Sequence, residues 1–144
     1  MRFPDWEDRL NAVLDDFAYA PHVYGSHDCG LFTAAAVAAE TGEDFGANLR
    51  GRYSTRVGAA RALIRYGSGT LEATITAALG PPGPLAWAHR GDVCWYAETP
   101  GILQANHGIF VGGADEDREL YGVGLVRIPR HLLDRDRAWP VPFE

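Results

Sequence analysis

The run Gly80-Pro81-Pro82-Gly83-Pro84 constrains this chain more than any other stretch, because neither a helix nor a sheet interior survives three prolines and two glycines in five residues. It separates two kinds of pattern. On its N-terminal side, Trp6, Leu10, Val13, Leu14 and Phe17 recur at helical spacing after Pro4, which is tolerated in a first turn, and predict a helix over residues 4 to 18. Cys29 to Glu40 reads as a second helix, rich in alanine and stopped by Gly42. Alanine on most faces lets neighbours approach closely, so this helix suits the centre of a core. After the polar residues 43 to 55, Val57, Ala60, Leu63 and Ile64 mark a third helix, and Leu71, Ile75, Ala78 and Leu79 a fourth, with Gly67 to Gly69 between them.

Beyond the breaker run the pattern turns to strands. Residues 92 to 97, 107 to 112 and 120 to 128 are short and rich in Val, Ile, Trp, Tyr and Phe, which predicts three strands in an antiparallel meander. Helices first and strands second give an α+β fold, with a small sheet packed on the Ala-rich helix. The strand half alone would be about sixty residues with little helix to cover it, so the expectation is one domain over 1 to 144, with a helical insert at about 43 to 80.

Composition narrows the function classes. A net charge of -6 with no dense basic block disfavours a nucleic-acid partner. Neither a signal peptide nor an apolar run of membrane length is found, which implies a product made in the cytoplasm, off the membrane. Cys29 and Cys94 are too few for a disulfide scaffold or a Cys-rich zinc site, although a single bridge between them stays open. Asp28, Cys29, His27 and His107 match no familiar metal-ligand spacing, and no metal or other cofactor is expected.

Two residues carry candidate chemistry. The N-terminus of a helix favours a thiolate and offers backbone N–H groups to an oxyanion, and Cys29 is placed there, after the turn and cap residues Gly25 to Asp28. A small buried hydrophobe is the alternative at the same position. His107 opens His-Gly-Ile-Phe-Val-Gly-Gly, where alternation puts it on the face shared by Ile109 and Val111, the face expected to meet the central helix. A strand-edge histidine bonded to backbone or water is its alternative. Cys94 and Trp6, Trp87 and Trp139 read as packing or interface residues, His89 and His131 as surface, and Arg90-Gly-Asp as a chance tripeptide.

Two segments together resemble the signature of the NlpC-type cell-wall peptidases, a branch of the papain-like superfamily. Pro21-His-Val-Tyr-Gly-Ser-His-Asp-Cys-Gly-Leu-Phe is similar to that family's nucleophile segment, and Arg90-Gly-Asp-Val-Cys-Trp-Tyr with His107-Gly-Ile-Phe-Val-Gly to its Gly-Asp strand and histidine strand. The resemblance implies a papain-like fold in which Cys29 is nucleophile and His107 base: His107 takes the thiol proton, Cys29 attacks an amide carbonyl, backbone N–H groups hold the oxyanion, and water resolves the acyl-enzyme. Arg50-Gly-Arg-Tyr-Ser-Thr, the helix from Val57 to Tyr66, Gly124-Leu-Val-Arg-Ile-Pro and Ala138-Trp139 look like the branch found in phages, prophages and gene-transfer particles, covering about residues 20 to 140. That branch implies peptidoglycan stem peptide as substrate, tail hub or tip proteins as partners, and a place in a phage-like particle.

The chain also departs from that pattern. A third polar residue normally orients the imidazole, and the strand after His107 offers Glu119 or Tyr121. The family's active-site aromatic aligns with His22 or Tyr24, and Asp28 joins them as a candidate for substrate or oxyanion contacts. Cys29 and His107 lie 78 positions apart, farther than in compact members, because of the helical insert, which has two open roles: covering the cleft or binding a partner. The competing class is a structural tail component that keeps the hydrolase fold without turnover.

Overall fold

Three of the four helices begin where a side chain satisfies a free backbone N–H. The computed structural model describes residues 1–113 and 122–142, and in it α1 spans Trp6–Phe17, α2 Cys29–Thr41, α3 Arg56–Tyr66 and α4 Leu71–Leu79. Asp28 caps α2 by accepting from the Leu31 N–H, Thr55 caps α3 from Gly58, and Thr70 caps α4 from Ala73. Gly42 ends α2 in the left-handed region with φ 86°, a conformation that glycine adopts without steric cost.

Four strands follow, β1 Val93–Tyr96, β2 Thr99–Leu103, β3 His107–Val111 and β4 Leu125–Pro129, antiparallel throughout and in the order β1-β2-β3-β4. The fold is α+β. Alternation gives the sheet two apolar faces. Val93, Trp95, Ile102, Ile109 and Val111 pack with Leu10, Phe32, Ala36 and Val37 of α1 and α2, whereas Cys94, Leu103 and Phe110 pack with Leu85, Leu133 and Ala138. Phe32, Ala34 and Ala36 are wholly buried, so the Ala-rich helix is the centre of the main core.

The sequence predicts three strands in this half; β2 is the fourth. It contains Pro100 and Gly101, both poor strand formers, and it follows a tight turn at Ala97 and Glu98 with φ of 51° and 59°, where Asn-Gly would be the usual signal. Gly101 is required there, since a side chain would meet the Ile109 carbonyl and the Phe110 ring. An added strand reverses the one after it. With three strands, β3 would have run antiparallel beside β1; with β2 between them it runs parallel to β1, and His107 falls at the other end of the sheet.

Candidate active site

Cys29 is the first residue of α2 and is partly exposed. It lines a small cavity of about 70 Å³ with Tyr24, Leu49, Tyr53, Leu63 and Leu71. The last four come from residues 43 to 80, so the insert covers the Cys29 end of α2. Tyr53 lies in the segment Arg50 to Thr55 that carries part of the resemblance, but nothing in the sequence gives it a role of its own. Its hydroxyl donates to Asp28 Oδ2 at 2.5 Å, and burial, followed by that bond, pushes its pKa well above the usual tyrosine range, so it stays neutral and donating.

Asp28 is buried and accepts from three donors: Leu31 N–H at 2.9 Å, Gly25 N–H at 2.9 Å, and the Tyr53 hydroxyl. Gly25 has φ 89°, and a side chain on it would run into the Tyr53 carbonyl, so this turn and the insert fit together only with glycine there. Two consequences bear on chemistry. The Leu31 N–H is committed to Asp28 and is not open to an oxyanion, and a buried carboxylate beside the helix tip opposes a second anion on Cys29. Asp28 is thus a cap and loop tether.

His22 and Tyr24 stand together, their rings perpendicular with centroids 4.5 Å apart; Tyr24 reaches the Cys29 cavity and His22 is not among its lining residues. His27 packs on Phe17 and lies 3.2 Å from Ser26 Oγ. Glu119 and Tyr121 lie outside the described residues.

His107 is on the sheet face that meets α2, in phase with Ile109 and Val111, but two chains of contacts put it far from Cys29. At the start of α2, His27 and Phe32 pack on Phe17, and the neighbouring Ala18 carbonyl accepts from the N–H of Leu125, the partner of Val111. At the end of α2, Glu40 lies against Arg2; Arg2 bonds Asp92 and the Arg90 carbonyl; Arg90 bonds Gln104, whose N–H donates to the His107 carbonyl at 2.7 Å. Cys29 therefore stands at the Val111 end of β3 and His107 at the Glu40 end. The four steps from His107 to Val111 span about 13 Å. The structure does not bring the two residues together for a direct proton transfer, and the reversal of β3 by β2 is the reason.

Burial, with Arg127 adding to it, lowers the His107 pKa below the usual histidine range. Cys94 is wholly buried on the other sheet face, where burial raises its thiol pKa strongly; both cysteines are free, so the bridge left open by the sequence is not made. A larger groove of about 570 Å³ lies on that outer side, lined by Leu85, Leu133, Asn106, Arg130, His131 and Arg135. Among the described residues, no group of three His, Cys, Asp or Glu is gathered that could hold a metal ion, and no helix is long and apolar enough to cross a membrane.

The family model described as Domain of unknown function (DUF6950) matches residues 1–141, and the chain belongs to that family. No curated protein and no solved structure matches the chain.

Proposed function

We propose that this chain is a papain-like domain of a phage-type tail that keeps the frame of a cysteine hydrolase without turnover through a Cys29–His107 pair, acting as a structural component beside tail hub or tip proteins. The observation that carries the reading is the placement of Cys29 and His107 toward opposite ends of the sheet. Cys–His catalysis needs the imidazole within about 3 Å of the thiol, or one water away, and one end of a strand cannot substitute for the other. Asp28 adds to the same reading by withdrawing the Leu31 N–H, one of the donors at the helix tip, from any oxyanion.

A second reading draws on a specific observation: Cys29 opens α2 and lines a cavity. In it, Cys29 attacks an amide of a peptidoglycan stem peptide with a base other than His107. Incubation of wild-type protein and Cys29→Ala with purified peptidoglycan and with soluble stem peptides, followed by mass spectrometry of released products, separates the two. The structural reading expects identical, product-free traces. A new amine or peptide fragment present with wild type and absent with Cys29→Ala would replace it with the hydrolase reading.

A further inference from the structure

We propose that the outer face of α3 docks on the outer face of α1 in a second copy of this chain, in a head-to-tail contact. The inference is independent of the function proposed above. In linear order the thirteen basic residues form no dense block, yet five of them, Arg50, Arg52, Arg56, Arg61 and Arg65, fall between Asp44 and Glu72, a span without a carboxylate. All five are exposed, on a chain whose net charge is -6. Arg50 pairs with Asp44, and Arg52 stacks on Tyr66. Arg56, Arg61 and Arg65 have no carboxylate partner among the described residues.

The same face is apolar along its centre. Val57 and Ile64, seven positions apart, are 61% and 71% exposed, while the opposite side of α3 is occupied, Ala59 and Leu63 at the Cys29 cavity and Ala62 against Leu31 and Leu49. An aliphatic stripe bordered by arginines fits a protein surface of the inverse kind, with small or aromatic residues bordered by carboxylates.

Such a surface exists on this chain. On α1, Asp8, Asp15 and Asp16 are exposed and have no cationic partner among the described residues, unlike Asp5, which pairs with Arg9, and Glu7, which pairs with Arg90. Ala12 and Tyr19 lie among them, again seven positions apart; Tyr19 is 91% exposed, and Ala18 continues the helical backbone toward it. Three arginines without a carboxylate partner around Val57 and Ile64, of which Arg65 also lies over the Tyr66 ring, thus match three aspartates without a cationic partner around Ala12 and Tyr19. Val57 and Ile64 are about 10 Å apart along α3, and Ala12 and Tyr19 are separated by the same number of residues, with Tyr19 just past the end of α1. Two copies of the α3 face would repel each other, so the contact joins unlike faces, and each copy keeps a free face at either end. One helix pair buries little surface, which places the association at the weak end of specific interfaces.

Sedimentation equilibrium from about 10 to about 500 µM, the range in which contacts this small are populated, tests the proposal on the wild type, Arg61→Ala/Arg65→Ala, Asp15→Ala/Asp16→Ala and an equimolar mixture of the two variants. All four substituted side chains are exposed, and unchanged thermal melts confirm that the variants fold. The expected result is a wild-type mass that climbs above the monomer and returns to it in 1 M salt, two variants that stay monomeric alone, and a mixture that forms a 1:1 heterodimer and nothing larger. A wild type that stays monomeric throughout, variants that still associate alone, or a mixture that stays monomeric overturns it; so does a monomeric wild type that binds an acidic protein through α3.

Discussion

The two ends of α2 each bury a carboxylate, and the protein treats them in opposite ways. Asp28, at the N-terminus, receives two backbone N–H groups and the Tyr53 hydroxyl, at the end of the helix whose dipole favours negative charge. Glu40, one residue before the C-terminus, is wholly buried, and neither of its carboxyl oxygens has a hydrogen bond among the described residues. Arg2 Nε lies 3.5 Å from Glu40 Oε1, and burial pushes the Glu40 pKa up to about 8, with Arg2 opposing and Asp92 adding. The contrast teaches where the favourable end of the helix has gone. One of its donors, the Leu31 N–H, holds an aspartate, and the thiol beside it shares the tip with that carboxylate.

The sharpest way to break this comparison is at Arg2, which bonds Asp92 at 2.7 Å inside the protein. Arg2→Met leaves Asp92 buried without its cation and is expected to cost about 3–5 kcal/mol in urea unfolding. A loss below about 1 kcal/mol would mean that the cluster is hydrated and does not tie the N-terminal segment to β1.

Glu40 should make stability fall with rising pH. The folded state holds its proton more tightly than the unfolded chain, so the stabilisation is complete below the ordinary glutamate value of 4.5 and is lost as pH climbs through about 8. Unfolding free energy measured across that window should decline in the wild type, on the order of 1 kcal/mol per pH unit at most. Glu40→Gln, which cannot ionise, should flatten the decline. Equal slopes in both proteins would show that Glu40 is ionised in the fold.

At the other end of α2, Asp28→Asn keeps an acceptor for the Leu31 N–H but sets an NH2 group, which cannot accept, against the Gly25 N–H and the Tyr53 hydroxyl. It is expected to lose about 2 kcal/mol and to let Cys29 react faster with iodoacetamide, because the neighbouring negative charge is gone. Slower alkylation would show that Asp28 helps the thiolate.

The smallest effect is a gain. Replacing the left-handed pair by Ala97→Asn with Glu98→Gly should stabilise the β1–β2 hairpin by about 1 kcal/mol, since both φ values are positive. A loss larger than the exposed Glu98–Arg137 contact at 3.6 Å explains would argue against this turn, and with it against the direction of β3.

Much of the fold is legible in the sequence because its signals are local. Helical spacing places all four helices to within a few residues, and the Gly80 to Pro84 run marks the change from helix to strand. The Ala-rich pattern identifies α2 as the core helix. The face of β3 that carries His107 follows from alternation. Its direction does not, because direction depends on the number of strands before it, and β2 is hidden by Pro100, Gly101 and an Ala-Glu turn. The candidate site divides in the same way. The position of Cys29 at a helix start is local and legible, whereas its distance from His107 and the bond from Tyr53 to Asp28, 25 positions away, belong to tertiary structure.

The most direct test of the separation of Cys29 from His107 is the rate of Cys29 alkylation by iodoacetamide against pH, in Cys94→Ala and in Cys94→Ala/His107→Ala. The predicted result is two superimposable profiles, because an imidazole at the far end of β3 has no hold on the thiol. A Cys29 that reacts well below the pH of a free thiol, and loses that advantage in His107→Ala, would contradict it and restore the catalytic pair.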